Sequence, residues 1–340
     1  MNKIRIAVLC PSEIAFRRFM PALMKINEMQ FVGIGHANEE EWFGGISSNH
    51  DLKVLNSDYE KAKKFTDAYG GIIFESFYQL ITSDLVDAVY IPLPPALHYK
   101  WAKVALENGK HVFVEKPSTT SLEDTVSLVE LAKHNKLALH ENYMFNFHSQ
   151  LDYIEEQIEN GIIGKIRLFR ISFGFPFRGT NDFRYKKNLG GGALLDCGGY
   201  TIKLATRLLG NQVQLVHHQL NYLDEFDVDI YGSGTLVNEE KQIAQVSFGM
   251  DNSYKCELEV WGSEGTIYTN RILTAPDGYK PSIKITKGSE IKEIEIDADD
   301  SFMKSIKYFF NCIVDESLRK KTYNELIVQE KIVSIFMEEE

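Results

Sequence analysis

The sequence predicts an α/β domain with a doubly wound parallel sheet, followed by an α+β domain with an open, mostly antiparallel sheet. From Lys3 to about Leu139, short β-branched runs alternate with amphipathic stretches, which is the pattern of βαβ units with helices on both faces. After about residue 150 the chain changes to long strands with one buried and one wet face. We therefore predict a first domain at residues 1–120 and a second at 121–340.

The first domain is predicted from apolar runs separated by stretches of helical periodicity. Gly109 stands just past the end of one such stretch, where a left-handed cap is common. Ser121, with Asp124 three residues later, begins the next helix as a capping box. The polar residues 38–57 are less regular and predict a long surface insertion. The predicted strands are 4–9, 31–35, 72–74, 87–91, 111–114 and 137–139, and the predicted helices are about 14–27, 58–69, 98–108 and 121–134.

The second domain is predicted from strict alternation along its strands. Cys256, Leu258 and Val260 fall on one side of such a strand, with Glu257 and Glu259 on the other. This pattern is typical of an antiparallel sheet that buries one face. The predicted strands are 165–175, 213–222, 228–236, 241–249, 254–261 and 266–269, and a final amphipathic helix is predicted at about 301–314.

Composition excludes several classes of function. The chain has 48 acidic and 37 basic side chains, for a net charge of -11, which disfavours a nucleic-acid partner. No apolar run approaches the ~20 residues that span a bilayer, and no signal-peptide pattern precedes the first strand, so we expect a cytoplasmic protein without a membrane partner. The cysteines Cys10, Cys197, Cys256 and Cys312 are far apart, which suits reduced packing residues better than a metal site. We expect no metal.

A lysine at the end of a buried strand and a tyrosine in a later helix are the residues most indicative of chemistry. Lys116 ends the run from Gly109, and Tyr200 closes a Gly-rich stretch that begins at Gly190. Lysine is a mobile ammonium, and tyrosine carries a proton that can be lent to a reacting oxygen, so the two together suggest an acid/base pair. Taken singly, Lys116 could be a surface lysine and Tyr200 a core aromatic.

These stretches occur in an order that resembles one known family. Residues 92–98, then Glu115-Lys116-Pro117, then the Gly-rich stretch ending at Tyr200 are similar to the glucose-fructose oxidoreductase / inositol dehydrogenase (GFO/IDH/MocA) family, in its tyrosine-type branch. The resemblance covers nearly the whole chain. It implies a Rossmann first domain that binds NAD(H) or NADP(H) and a second domain that shapes the substrate pocket.

The same resemblance implies roles for three residues. Lys116 would contact the reacting hydroxyl or keto oxygen, and Tyr200 would stand where many relatives have histidine. Asp196 precedes Tyr200 by four residues, which places both on one face of a helix. The Asp196 carboxylate could hydrogen-bond a sugar hydroxyl, or it could be an acid favoured by the helix N-terminus.

The expected cofactor loop departs from the usual glycine pattern. Cys10 and Ser12 stand in place of the first two glycines, and Ala15 fits the third. The Ser12 hydroxyl could cap the helix or meet a phosphate. The second strand ends at His36 with neither the acid typical of NAD sites nor an arginine, so we predict NADP, with NAD as the alternative. The predicted cofactor-binding residues are Cys10, Ser12, Glu13, Ile14, His36, Leu93, Pro94, His98 and Glu115.

The predicted function is hydride transfer between a nicotinamide and a hydroxyl or keto carbon of a sugar or nucleotide-sugar. Two alternatives stay open: a dihydrodiol or inositol-type dehydrogenase, and a ligand-binding or sensor protein whose altered cofactor loop no longer supports turnover. The segment before the triple glycine could line the substrate side. Its candidates are Arg178, Asn181, Arg184, Tyr185 and Lys187.

The second sheet is also predicted to pair copies of the chain. Trp261 stands where the alternation requires a polar residue, and Phe169, Phe173 and Phe175 crowd the first strand. A large apolar sheet face usually marks a partner surface, and two-fold pairing is the commonest way to cover it. We expect a homodimer or homotetramer that pairs through the open face.

Overall fold

The structure, a computed structural model, describes residues 3–43 and 49–338. By their contacts the residues form two compact units, Met1–Asn142 with Phe302–Leu326, and Tyr143–Ser301 with Ile327–Glu340. The sequence had placed a single boundary after residue 120. The division falls later because residues 122–141 supply a helix and the last strand of the first sheet. Two late segments also belong to units formed earlier in the chain: Phe302–Leu326 to the first and Ile327–Glu340 to the second. A single boundary along the sequence does not predict such returns.

The first unit is built on a six-stranded sheet that is parallel throughout. Its strands are β1 (Ile4–Val8), β2 (Met29–Gly35), β3 (Ile72–Phe74), β4 (Ala88–Ile91), β5 (His111–Val114) and β6 (Leu139–Glu141). The order β3-β2-β1-β4-β5-β6 reverses between β1 and β4, and in such sheets ligands bind beyond the carboxyl ends of the strands at the reversal. The predicted doubly wound sheet is confirmed, with its sixth strand two residues later than expected.

Ten α-helices lie in the described residues. They are α1 (Met20–Leu23), α2 (Glu39–Phe43), α3 (Asn49–Tyr69), α4 (Phe77–Thr82), α5 (His98–Glu107), α6 (Leu122–Asn135), α7 (Ser149–Glu159), α8 (Gly199–Leu209), α9 (Ser301–Val314) and α10 (Glu316–Met337). The sequence missed α2, α4, α7 and α10, so α9 is not the final helix. Among the described residues, no helix is both long and apolar enough to cross a membrane.

The predicted irregular insertion at 38–57 is wrong wherever it can be compared. Residues 44–48 of that stretch lie outside the described residues, while α2 and the first half of α3 are helical on either side of them. No glycine or proline interrupts α3 over Asn49–Tyr69, so polar composition alone did not indicate a loop. The two predicted helix caps are confirmed. Ser121 Oγ accepts a hydrogen bond from the Asp124 N–H (3.2 Å), and Gly109 has a left-handed φ of 73°.

The second unit is built on an eight-stranded sheet in which only β7 and β10 pair in parallel. The strands are β7 (Ile166–Gly174), β8 (Val213–Tyr222), β9 (Asp229–Asn238), β10 (Ile243–Gly249), β11 (Lys255–Gly262), β12 (Thr266–Asn270), β13 (Ser282–Lys287) and β14 (Glu290–Glu295). Their order is β14-β13-β12-β11-β7-β10-β9-β8. The mostly antiparallel sheet is confirmed, but the sequence missed β13 and β14, half of whose residues are charged.

One face of this sheet is apolar and packs under α8, and the other is open. The prediction that Phe169, Phe173 and Phe175 crowd the open face is wrong, since their side chains are buried with the core. They alternate in register with Ile171, so they share its inward direction. Trp261 does lie on the other face and is 48% exposed.

Candidate functional site

The turn after β1 shows what replaces the glycines of a dinucleotide loop. Ser12 Oγ accepts a hydrogen bond from the Ala15 N–H (3.2 Å), and its carbonyl accepts one from the Phe16 N–H (3.1 Å). The buried Cys10 thiol donates to the Pro92 carbonyl (3.4 Å), and burial raises the pKa of this thiol. Ser12 therefore caps the helix that follows. The side chain of Cys10 is turned into the protein interior, and cofactor binding at Cys10 stays a prediction.

The helix after this turn begins with a π-helical segment at Ala15–Phe19, which the sequence did not predict. Such segments are rare and occur often at functional sites. The two other loop residues predicted to bind cofactor lie at the surface: Ile14 is 38% exposed, and Glu13 Oε1 is 3.4 Å from Arg17 Nη1. The arginine partly offsets the negative charge of Glu13 near the expected pyrophosphate.

The end of β2 carries a histidine whose ring nitrogens are buried. Neither nitrogen of His36 hydrogen-bonds to any residue that the structure describes, although Glu75 Oε2 lies 3.7 Å from Nε2. The Tyr59 ring packs edge-on against the imidazole at 5.4 Å. Nearby Asp58 has its carboxyl pKa raised, mainly by burial. Buried polar atoms usually have partners, so the two nitrogens are an exception among the described residues, and cofactor binding by His36 stays a prediction.

Lys116 follows a buried carboxylate at the carboxyl end of β5. Glu115 Oε1 accepts hydrogen bonds from Tyr90 Oη (2.7 Å) and from Asn142 Nδ2 (2.8 Å). Ser305 Oγ, from α9, donates to Asn142 Oδ1 (2.9 Å) and so extends the network. Burial raises the pKa of Glu115. The Glu115 carboxylate was predicted to bind cofactor; its Oε1 is engaged in this interior network, and cofactor binding by Glu115 stays a prediction.

The prediction that His98 binds cofactor is corrected in a similar way. Its side chain is fully buried, Nδ1 lies 2.7 Å from the Pro117 carbonyl oxygen, and Nε2 lies 2.7 Å from the Leu93 carbonyl oxygen. Both ring nitrogens thus face backbone, and burial lowers the pKa of His98 to about 4. Leu93 is itself buried, and the Pro94 carbonyl accepts a hydrogen bond from the Leu97 N–H (2.9 Å).

In the second unit, the Gly-rich stretch is shaped by an aspartate that the sequence did not single out. Asp229 Oδ2 accepts a hydrogen bond from the Leu194 N–H (2.7 Å), and the side chain is buried. Gly192 has a φ of 122°, and any Cβ there would collide with Asp229 Oδ1. Burial raises the pKa of Asp229 to about 6. No local signal identifies this residue, because it lies on β9, far along the chain from the loop that it holds.

Tyr200 lies in an aromatic setting near the start of α8. Its ring is 5.1 Å from that of Tyr143, 5.3 Å from Phe173 and 5.7 Å from Phe145, measured between centroids. The preceding residues, Leu194–Gly198, form a second π-helical segment. Tyr200 is 7% exposed, so its proton lies in a largely water-excluded site. The first π-helical segment thus follows the predicted cofactor turn, and the second contains Asp196 and precedes Tyr200.

Asp196 is paired with an arginine from the predicted substrate-side segment. Arg184 Nε donates to Asp196 Oδ2 (2.8 Å), and Arg184 Nη1 donates to Asp182 Oδ1 (3.1 Å). The Asp196 and Arg184 side chains are 11% and 21% exposed. Two carboxylates face one guanidinium, so this cluster is not a free cationic site. Asp196 is therefore positioned by a charge-assisted bond that could also orient it toward a hydroxyl.

The remaining substrate-side candidates divide between the surface and the core. Arg178 is exposed and stacks over the Phe175 ring at 4.3 Å, while Asn181 and Lys187 are also exposed. Tyr185 is buried, and its hydroxyl donates to the Met250 carbonyl (2.8 Å). Tyr185 is thus a packing residue that anchors the segment, which corrects its predicted place on the substrate side.

Comparison with known proteins matches both units to one family. Residues 28–143 match the model of the oxidoreductase family with an NAD-binding Rossmann fold (GFO_IDH_MocA), and residues 152–268 match the GFO/IDH/MocA C-terminal domain. The chain is 35% identical to a dTDP-3,4-didehydro-2,6-dideoxy-alpha-D-glucose 3-reductase of Actinomadura kijaniata, over 92% of this chain and 88% of that protein. It is 33% identical to the reductase of the same name from Saccharopolyspora spinosa, over 90% and 86% of the two chains.

Solved structures give the same picture. The crystal structure of KijD10, a 3-ketoreductase from Actinomadura kijaniata in complex with NADP and TDP-benzene, matches with a TM-score of 0.89 and 33% identity. The match covers 99% of this chain and 97% of that one. An aldose-aldose oxidoreductase from Caulobacter crescentus shares the fold, with a TM-score of 0.83 at 18% identity.

Proposed function

The chain belongs to the GFO/IDH/MocA family of oxidoreductases, and from this we propose that it reduces a keto carbon of a dTDP-linked sugar with NADPH. The observation that carries the proposal is the 35% identity, over 92% of the chain, to a dTDP-sugar 3-reductase. Xylose and dihydrodiol dehydrogenases of the family are more distant, at 25% and 27% identity over shorter stretches.

The residues at the ends of β1 and β2 fit NADP. The capped turn at Ser12 leaves backbone N–H groups of a helix N-terminus for an anion, and the His36 ring nitrogens are buried without a hydrogen-bond partner among the described residues. No carboxylate follows β2 in the position that grips the ribose diol of NAD. When bound, NADPH supplies the hydride. The solved relative KijD10 binds NADP, in agreement with the sequence prediction.

We assign the proton to Tyr200 and the stabilisation of negative charge to Lys116. As the keto carbon accepts hydride, its oxygen gains charge, and the phenol of Tyr200 donates a proton to that oxygen. The ammonium of Lys116 stabilises the developing charge. A positioned proton donor contributes about 10²–10⁴-fold in rate. Among the solved forms of KijD10 are variants in which a tyrosine or a lysine is replaced, the same two residue types.

Asp196 is proposed to hold a hydroxyl of the sugar. Its carboxylate is positioned by Arg184 Nε at 2.8 Å, and a carboxylate is an acceptor-only group that suits a sugar hydroxyl. The exposed Arg178 and Lys187 supply positive charge in the segment before the Gly-rich stretch, which would suit a nucleotide diphosphate.

The test is an assay of NADPH consumption with dTDP-3,4-didehydro-2,6-dideoxy-glucose, alongside D-xylose and a dihydrodiol with NADP. We expect turnover of the dTDP-sugar and its loss, by about 10²-fold or more, in Tyr200→Phe and Lys116→Ala, with NADPH affinity retained. Tyr254→Phe, which changes an exposed tyrosine directly before β11, is the matched control. Preference for xylose or the diol would overturn the substrate class, and no binding of NADPH or NADH would favour the sensor alternative.

We further propose that the protein is a cytoplasmic homo-oligomer that pairs through the open face of the second sheet. Trp261, Tyr231 and Tyr268 are 48%, 43% and 38% exposed on that face. Around them the face is polar: Ser172 Oγ and Ser247 Oγ are 2.9 Å apart. Among the described residues the four buried cysteines form no disulfide, which is consistent with the proposed reducing compartment.

A further inference from the structure

Lys116 is held by its neighbours on both sides. Before it, the Glu115 carboxylate is fixed by Tyr90 and Asn142, and the Glu115 N–H bonds the Ile91 carbonyl (3.1 Å) as the last rung between β4 and β5. After it, the carbonyl oxygen of Pro117 lies 2.7 Å from His98 Nδ1. The backbone that carries the Lys116 ammonium is therefore constrained from two directions.

The second constraint depends on one imidazole. His98 Nε2 lies 2.7 Å from the Leu93 carbonyl oxygen, so the ring spans from the segment after β4 to the segment after β5. A neutral imidazole donates through one nitrogen only, so one of the two carbonyls receives a hydrogen bond and the other packs against the unprotonated nitrogen. His98 begins α5, whose position is set by a packed interior. The ring thus ties the backbone of Pro117, the residue after Lys116, to the start of α5.

We propose that His98 is a positioning residue for Lys116. The ring packs between the Pro117 and Leu93 carbonyl oxygens and donates to one of them, and so it places the Lys116 ammonium where the reacting oxygen develops charge. The inference rests on the proposed function for the chemistry of Lys116, but the geometry that carries it lies wholly within the first unit. A displacement of about 1 Å in a catalytic group can cost about 10²-fold in rate, so loss of this bridge should act on kcat.

The experiment compares His98→Phe and His98→Asn with a matched control on β5, the strand that leads to Lys116. His111 lies at the amino end of β5, opposite the end that leads to Lys116. Its Nδ1 accepts a hydrogen bond from the Ala138 N–H (2.9 Å). His111→Phe therefore removes a partly buried histidine that has a backbone hydrogen bond, from the amino end of β5, without touching the carboxyl end that leads to Lys116. Each protein is assayed for kcat, KM, NADPH affinity and melting temperature, and for the rate at which acetic anhydride labels Lys116, read by mass spectrometry.

We expect His98→Phe to lower kcat by about tenfold to a hundredfold with KM and NADPH affinity within about threefold. His98→Asn keeps one amide donor and should recover part of the loss. The Lys116 labelling rate should change in both His98 variants and stay as in the wild type in His111→Phe. If His98→Phe does not fold, His98→Asn provides the comparison.

Two results would overturn the inference: wild-type kcat and Lys116 labelling in the His98 variants, or an equal loss of kcat in His111→Phe, which would mark general destabilisation. If the wild-type protein does not reduce the dTDP-sugar, the proposed function fails instead. The labelling of Lys116 then decides the positioning role by itself, because it needs no substrate.

Discussion

Asp229→Asn tests whether a buried carboxylate holds the Gly-rich stretch that leads to Tyr200. Asp229 Oδ2 accepts the Leu194 N–H at 2.7 Å, and the Ala193 N–H and its own N–H also favour the charged form. Burial outweighs these bonds and raises the carboxyl pKa from 3.8 to about 6. Asparagine keeps the shape of the side chain and one acceptor oxygen but does not titrate. The substitution therefore removes the pH-dependent contribution of residue 229 to the free energy of unfolding.

The magnitude follows from linkage between protonation and folding. A pKa raised on folding means that the folded state holds the proton more tightly, so stability is fully present at low pH and is lost as pH rises through about 6. A shift of about two units corresponds to about 3 kcal/mol in all, of which about 2 kcal/mol falls between about pH 4.5 and about pH 7. The free energy of unfolding of Asp229→Asn should rise by that amount relative to the wild type over this range.

The assay is urea unfolding of both proteins at several pH values, taking the difference at each pH so that all other titrations cancel. Asp224→Asn, which removes an exposed carboxylate from the loop before β9, controls for the loss of one charge. A difference between wild type and Asp229→Asn that stays constant with pH would refute the reasoning. So would an equal slope in the Asp224 variant.

Three further outcomes can be measured. Replacing both Cys10 and Ser12 with glycine should leave NADPH affinity within about tenfold, or ~1.4 kcal/mol, by fluorescence titration; a gain of several hundredfold would show a loop that has moved away from cofactor use. Asp196→Asn should raise KM for the dTDP-sugar more than it lowers kcat, and failure to fold would make the aspartate structural. Light scattering should give a multiple of 38.9 kDa, reduced by Trp261→Glu but not by Tyr78→Glu, an equally exposed aromatic in the first unit; a monomeric wild type would contradict the pairing.

Local pattern was enough to predict the first sheet and six of the eight strands of the second, because strand and helix periods are properties of consecutive side chains. It placed Lys116 at the end of β5 and Tyr200 in a helix, and it anticipated the cap at Ser121. It misjudged 49–57, where a polar helix and a polar loop have the same composition. Whether Lys116 and Tyr200 act as assigned stays a prediction for the variants above.

Tertiary structure alone decided which side chains serve the site and which serve the fold. The Asp229 contact with Leu194 joins residues 35 positions apart, and the His98 contact with Pro117 joins residues 19 apart. Neither follows from periodicity, because a buried polar group takes whichever partner the packed chain brings within reach. The same reason explains why Glu115 and His98, predicted to meet a cofactor, are instead bonded to the protein interior. A sequence shows which chemistry is present, but only packing determines which atoms remain for a ligand.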